Sequence, residues 1–234
     1  MTNTRAITGV SAIALAIVFN IPFSILGATF GYPDVLRRPA GEVLDLFNAG
    51  GASLILTWHA FALSALALAP MAIALALTPS RVAEKPALAI GAAITGSLAG
   101  LAQAIGLWRW VFVIPGLART HADPAAAPDA KRAAERAFEL LNQYGGVAIG
   151  EHLGQLLTAL FVLMLALLQW KESARISAGI GFATALAIVL GTGEGLAIAL
   201  GQSGELFSLA TIAGFVGLTL WLIATGIGLL RTKR

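Results

Sequence analysis

The chain has 234 residues, 58% of them hydrophobic and only 12% charged, with a formal net charge of +3 and no cysteine. A soluble domain is about 45–50% apolar and about a quarter charged. Composition therefore excludes a soluble globular domain, a disordered chain and a nucleic-acid binder with a basic face. The absent cysteines exclude disulfides, thiolate metal sites and cysteine nucleophiles.

In chain order, six apolar stretches reach the roughly 20 residues that a bilayer crossing needs. They run over about 6–29, 52–78, 87–115, 146–169, 176–200 and 206–230. Each is continuous, rich in Ala and Leu, and too long for a strand. The first follows Arg5, yet its run exceeds the core of a secretory signal and no small-x-small cleavage site follows it. It reads as a retained helix. With an even number of spans, both termini share one side. That side carries Arg5, Arg81, Lys85, Lys171, Arg175, Arg231, Lys233 and Arg234, all in short loops or tails. The other carries Arg37, Arg38, Arg119, Lys131, Arg132 and Arg136 in longer loops. Positive charge near span ends marks the cytoplasmic side. The termini are thus predicted on the cytoplasmic side.

Two longer outer loops, 30–51 and 116–145, carry amphipathic patterns. In the first, Val43, Leu44, Leu46 and Phe47 alternate with Glu42, Asp45 and Asn48. In the second, Ala133, Ala137, Phe138, Leu140 and Leu141 alternate with Lys131, Arg132, Glu135, Arg136 and Glu139. Such helices lie on a membrane surface or cap a bundle. His121, beside Asp123 and Pro124, reads as a solvated loop histidine. Pro22, Pro70 and Pro115 are expected to kink or end helices. The predicted fold is all-α: an integral membrane helical bundle of six transmembrane helices plus two amphipathic helices in the outer loops, one transmembrane domain over 1–234.

The two outer loops end alike, in LFNAGGASLILTWHAFALSALAL and LLNQYGGVAIGEHLGQLLTALFVL. Each has an Asn, a Gly-Gly step, a histidine in the next helix and an Ala/Leu tail. A parallel repeat would make helices two and four equivalent and bring His59 and His152 to similar depth. Chance similarity between Ala/Leu-rich helices accounts for the match equally well.

Ionisable groups at membrane depth are costly and usually face the interior. Asn20, His59, Gln103, Arg109, Glu151, His152, Gln155 and Glu194 fall almost wholly in the outer half of the predicted bilayer. His59, Arg109, Glu151, His152, Gln155 and Glu194 are the candidate ligand-binding residues of an outward-facing polar cavity. A buried Arg requires a carboxylate partner, so one glutamate is expected on Arg109. Bland readings stand beside this one. Arg109, between Trp108 and Trp110, is placed to snorkel to the interface, and Glu151 and His152 lie near enough to it to be solvated. Glu194 is harder to dismiss, because Gly191, Gly193 and Gly195 around it permit close approach or unwinding.

Several chemistries suit such a layer. A small ligand or ion in the cavity is the leading one. Haem b, held without covalent attachment by His59 and His152, is a second. A divalent metal on His59, Glu151, His152 and Glu194 is a third, although adjacent Glu151 and His152 diverge by about 100° on a regular helix. A proton-coupled transporter and a structural subunit without a ligand are the remaining alternatives. All four lysines lie outside the spans, which excludes an intramembrane Schiff base. The expected partners are the lipid bilayer and a small molecule or ion, with no nucleic acid. The small residues Gly96 and Gly100 offer a homodimer face.

The stretches GYPDVLRRPAGEVLDLFNAGGASLILTWHAFALSALAL, RWVFVIPGLA and QYGGVAIGEHLGQLLTAL resemble an uncharacterised bacterial membrane family, domain of unknown function four-three-eight-six. The resemblance spans nearly the whole chain. It implies a bacterial, polytopic membrane protein of about six helices and carries no activity or catalytic residues.

Overall fold

The computed structural model describes residues 2–231; Lys233 and Arg234, counted above in the charge bias, lie outside the described residues together with residues 1 and 232. All regular structure among the described residues is helical. Six helical stretches are long and apolar enough to cross a membrane: Thr4–Phe30, Ala40–Ala76, Pro86–Ala122, Pro128–Lys171, Arg175–Ala199 and Glu205–Arg231. The protein is a multi-pass, all-α helical bundle.

Several spans are divided. The first is the single helix α1 (Thr2–Phe30), in which Pro22 is accommodated. A short 3-10 turn, Asp34–Arg37, follows. The second span comprises α2 (Ala40–Leu66) and α3 (Leu68–Ala76). The break has a covalent cause: Pro70 has no N–H to give the Leu66 carbonyl. A six-residue helix, α4 (Pro79–Glu84), crosses to the third span. That span comprises α5 (Pro86–Phe112) and α6 (Ile114–Ala122), divided where Pro115 likewise leaves the Val111 carbonyl without its usual donor. The fourth begins as amphipathic α7 (Pro128–Leu141), continues as a π-helical segment over Asn142–Leu153, and ends as α8 (Gly154–Lys171). The fifth is α9 (Arg175–Gly191) and α10 (Gly193–Ala199), and the sixth is α11 (Glu205–Arg231).

The spans close into a ring. Helix α1 packs on α2 and α3, these on α5, α5 on α8, α8 on α9, α9 on α11, and α11 back on α1. The first turns of α1 and the last turns of α11 meet at one end of the ring, where a Cβ on Gly9 would stand 2.9 Å from the Gly226 carbonyl. At that end Arg81 joins two loops through Nε–H and Nη2–H, donated to the two Glu172 carboxylate oxygens at 2.6 Å each. The ring there is filled. Leu15, Met71, Phe161, Leu165 and Trp221 belong to one apolar core. Gln169 is buried among them with its amide satisfied: it accepts from Trp221 Nε1 at 3.1 Å and donates to Thr225 Oγ1 at 2.9 Å.

A second core, at the opposite end, joins α1 and α2 to α5, α6 and α7 through Leu26, Phe30, Phe47, Trp58, Trp110 and Phe138. The first amphipathic pattern forms the helical part of α2 before Gly51, with Val43, Leu44 and Phe47 buried, and is set off from the membrane helix by a kink at Gly51, which has φ 56° and ψ −149°. His121 differs from expectation as well. Its side chain is only 13% exposed, with Nδ1 2.8 Å from Asp45 and Nε2 2.9 Å from Glu135. It fastens α6 to α2 and α7. The small face expected to support a dimer is used within the chain. A Cβ on Gly96 would clash with Phe161, and one on Gly100 would stand 2.9 Å from the Ala65 carbonyl. Those glycines let α5 approach the α2–α3 span and α8 closely.

Candidate functional site

Between the two cores the ring does not fill. It encloses a cavity of about 200 Å³ to which all six spans contribute. An aromatic wall comes from Phe19 and Phe23 of α1, Tyr32 after it, and Trp58 and Phe61 of α2. Their rings contact one another, with centroids 4.9 Å apart for Phe19–Phe61, 5.3 Å for Tyr32–Trp58 and 5.6 Å for Phe23–Tyr32. Phe215 of α11 faces Phe19 at 6.2 Å. On the other side α5 and the fourth span meet at glycines, beside Gln103, Leu107, Arg109, Glu151 and Gln155, which also line the cavity. A Cβ on Gly106 of α5 would lie 2.7 Å from the Gly150 Cα and 2.9 Å from the Gly145 carbonyl. The π-helical turn, with one extra residue per hydrogen-bonded loop, carries those glycines and then delivers Glu151 to the cavity.

The charged groups meet at the mouth. Arg37, from the short turn, donates through Nη2 to Glu194 at 2.8 Å and to Glu151 at 3.1 Å. The three side chains are 35%, 16% and 26% exposed, respectively. Burial acts to lower the Arg37 pKa, but the charge of Glu151 and the hydrogen bond donated to Glu194 outweigh it and hold the guanidinium above its ordinary value. Tyr32 is moved upward too, first by burial and then by the nearby Glu151 charge, so it stays a neutral phenol.

Arg109 sits deeper, on α5, at 8% exposure. It makes no ion pair among the described residues. Nη1 donates to the Gly106 carbonyl and Nη2 to Asn142 Oδ1 at 3.0 Å. Asn142 in turn donates to the Leu36 carbonyl at 3.3 Å, tying the π segment and the turn together around the guanidinium. The guanidinium carbon lies 5.2 Å from the Trp110 ring, which stacks on Trp58 at 4.8 Å. Gly146 makes this position available, since a Cβ there would stand 2.5 Å from Nη2. Five buried polar atoms on cavity-lining residues have no hydrogen-bond partner: Trp58 Nε1, Arg109 Nε, Trp110 Nε1, Gln155 Oε1 and Thr211 Oγ1.

Of the six candidate residues, Arg109, Glu151, Gln155 and Glu194 line this cavity. The two histidines do not. His152 lines a much smaller polar recess behind Glu151 and Glu194, with Nδ1 3.1 Å from the Thr192 carbonyl. His59 turns away from the cavity that its neighbour Trp58 lines, towards Phe112 at 6.5 Å, as a helical step of about 100° requires. The pair considered for haem therefore shares no cavity. Nor do His59, Glu151, His152 and Glu194 gather as metal ligands: among the described residues no group of three or more His, Cys, Asp or Glu side chains is arranged to hold a metal ion. The expected pairing of Arg109 with a glutamate is replaced by pairing of both glutamates with Arg37.

Arg37, Tyr32 and Asn142 were not among the sequence candidates. Arg37 and Tyr32 lie between α1 and α2 and Asn142 opens the π segment; only Arg37 had a signal, since two glutamates at membrane depth need more positive charge than one arginine supplies.

No curated protein and no solved structure matches the chain. A family model, described as Domain of unknown function (DUF4386), matches residues 7–226, and the chain belongs to that family.

Proposed function

We propose that this is a membrane protein that binds a small molecule inside its helical ring, with the mouth of the cavity on the outer side of a bacterial inner membrane and both termini in the cytoplasm. The orientation rests on the positive charge of the loops at the terminal end. The binding reading rests on one observation: a cavity of about 200 Å³ with an aromatic wall and buried, partnerless polar atoms on its lining residues. Pockets for drug-sized ligands run to roughly 300–1,000 Å³, so the occupant is smaller. A dry apolar cavity of about 150 Å³ accepts benzene, which sets the scale.

The test uses the full chain in lipid nanodiscs. Bromobenzene, a neutral heavy-atom quencher, is expected to quench part of the tryptophan emission saturably. That component should vanish in the Trp58→Phe, Trp110→Phe double variant and should be displaced by benzene. Quenching that rises linearly, unchanged in the double variant, would remove the reading.

Transport is a second reading, favoured by two of the divided spans, the fourth and the fifth, which bring Glu151 and Glu194 to the cavity. Glu194 follows the α9–α10 break and Glu151 lies in the π segment. Discontinuous helices are where transporters place their sites. Substrate flux into liposomes, lost in Glu194→Gln, is the corresponding assay.

A further inference from the structure

The cavity is not closed on every side at membrane depth. Its lining includes Ile212 and Val216 of α11, and both are exposed. Phe19, Asn20 and Phe23 of α1, which line it too, are only half-buried. The seam between these two helices accounts for the opening. Towards the terminal end it is tight, with Gly9 against the Gly226 carbonyl. It ends where Asn20 Nδ2 donates to Thr219 Oγ1 at 3.0 Å and Phe19 faces Phe215. Nearer the mouth, among the described residues, no hydrogen bond or ring contact joins α1 to α11. There α11 leans on the fifth span: a Cβ on Gly191 would stand 2.9 Å from the Thr211 nitrogen, and one on Gly193 would stand 2.6 Å from the Phe207 ring. No residue of α11 before Gly214 is buried, and Val216 lies near the middle of this 27-residue helix. The slot therefore runs from the polar mouth at Asp34 and Arg37 to about the centre of the span, where it faces hydrocarbon.

We infer that the cavity is loaded from the bilayer, through the slot between α1 and α11, by a single-chain amphiphile with an uncharged polar end. This rests on the binding reading above and adds the route and the class of ligand. The polar end lies at the mouth, and the chain passes between Phe23 and Val216 into the lipid. Only the polar end and the first methylenes need fit the enclosed volume, so a molecule longer than the cavity is accommodated. The uncharged end follows from the ion pairs. Arg37 already matches Glu151 and Glu194, and a charged end would have to break that arrangement. A hydroxyl needs no such exchange, because a carboxylate offers about four acceptor sites and Arg37 leaves some of them free. A phospholipid head carries a charged phosphate and meets the same objection as any other ion.

The test uses the full chain in lipid nanodiscs, with hexadecanol carrying a diazirine near its hydroxyl end as the probe. On illumination the probe labels whatever lies beside it. The exposed Leu209, outside the cavity lining, reports chain in the bilayer, and the buried, cavity-lining Phe61 reports chain in the cavity. Peptide mapping by mass spectrometry should find the Phe61 label saturable. Unlabelled hexadecanol should compete for it about tenfold better than hexadecyl sulfate or hexadecyltrimethylammonium, the range expected for a hydrogen bond to a charged group. Val216→Trp fills the slot from an exposed position and should cut the Phe61 label several-fold while Leu209 keeps its own. Leu220→Trp, exposed on the same helix but outside the lining, should change neither. If Val216→Trp does not fold, the wild-type label and the ranking of the three competitors decide. A Phe61 label untouched by Val216→Trp would overturn the route, and equal or better competition by a charged amphiphile would overturn the uncharged end. Label confined to lipid-facing residues, with saturable bromobenzene binding, would overturn the whole inference and leave the cavity reading intact. Absence of saturable bromobenzene binding would overturn both.

Discussion

Replacing Arg37 by Gln isolates the ion cluster at the mouth. Among the described residues Arg37 is the one cation within hydrogen-bond reach of both Glu151 and Glu194, at 3.1 and 2.8 Å. Exposed ion pairs contribute about 0–1 kcal/mol each, and removing one partner of a buried pair costs about 3–5 kcal/mol because a bare charge remains. With side chains 16–35% exposed, this cluster lies nearer the exposed limit. Two links then amount to about 2 kcal/mol. For a chain of this length each kcal/mol lowers the melting temperature by about 2–4 °C, so Arg37→Gln should melt about 4–8 °C below wild type. The stronger statement concerns the residue left behind. Much of the loss is repulsion between two carboxylates without a cation, so Glu151→Gln and Glu194→Gln added to Arg37→Gln should recover at least half of it. Differential scanning fluorimetry in one detergent gives all three values. If the triple variant melts at or below Arg37→Gln, the cluster is not held by charge and the account of the mouth is wrong.

Other positions give independent checks by the same melting assay. Gly106→Ala should lose about 1–3 kcal/mol to overpacking, since the new methyl would lie 2.7 Å from the Gly150 Cα, whereas Gly116→Ala, with nothing within 4 Å, should be neutral or mildly stabilising. Gly51→Ala should also destabilise, by about 1–3 kcal/mol, although its Cβ would meet nothing within 4 Å; the penalty comes from φ alone, and an unchanged melting point there would contradict the backbone assignment. Gln169→Leu strands the Trp221 indole N–H and the Thr225 hydroxyl in the filled core and should cost about 1–3 kcal/mol. Adding Trp221→Phe to Gln169→Leu removes the stranded donor, so the double variant should lose less stability than the sum of the two single losses.

The spans were legible because lipid imposes one rule on all of them: a continuous apolar helix of about 20 residues. The polar layer was legible for the same reason, since Arg109, Glu151, Gln155 and Glu194 stand out in apolar runs and do line one cavity. Angular position was not legible. His59 carries the same signal as Glu151, yet a turn of about 100° from Trp58 points it elsewhere. The partner of the glutamates was hidden because Arg37 lies in a loop, where charge is ordinary. Its role depends on the path of residues 31–39, which periodicity does not encode. The likeness between helices two and four failed as a guide to geometry for a related reason. The first continues through a glycine at positive φ, while the second widens into a π segment, so equal spacing from a Gly-Gly step gives different directions.

The same π segment explains why a cavity exists at all. In an apolar bundle small residues draw helices together, and Gly106 and Gly150 do so here, with no side chain between α5 and the fourth span. Contact that close would normally seal the ring, as Gly96 and Gly100 do further along α5 against its neighbours. Two features prevent it. The wider π turn carries Glu151 to the mouth instead of leaving it at the helix flank. On the far side, the rings of Phe19, Phe23, Tyr32, Trp58 and Phe61 brace one another and hold that wall back. The void thus lies between a wall where two helices meet at glycines and a wall of large, mutually supported rings. A single large-to-small change in the rings should therefore enlarge the cavity, not collapse it. Phe61→Ala, whose ring is buried and touches four of those neighbours, should lose about 3–5 kcal/mol yet bind a larger quencher, 1-bromonaphthalene, better relative to bromobenzene than wild type does. If the ratio of the two affinities stays unchanged, the rings do not set the width of the site.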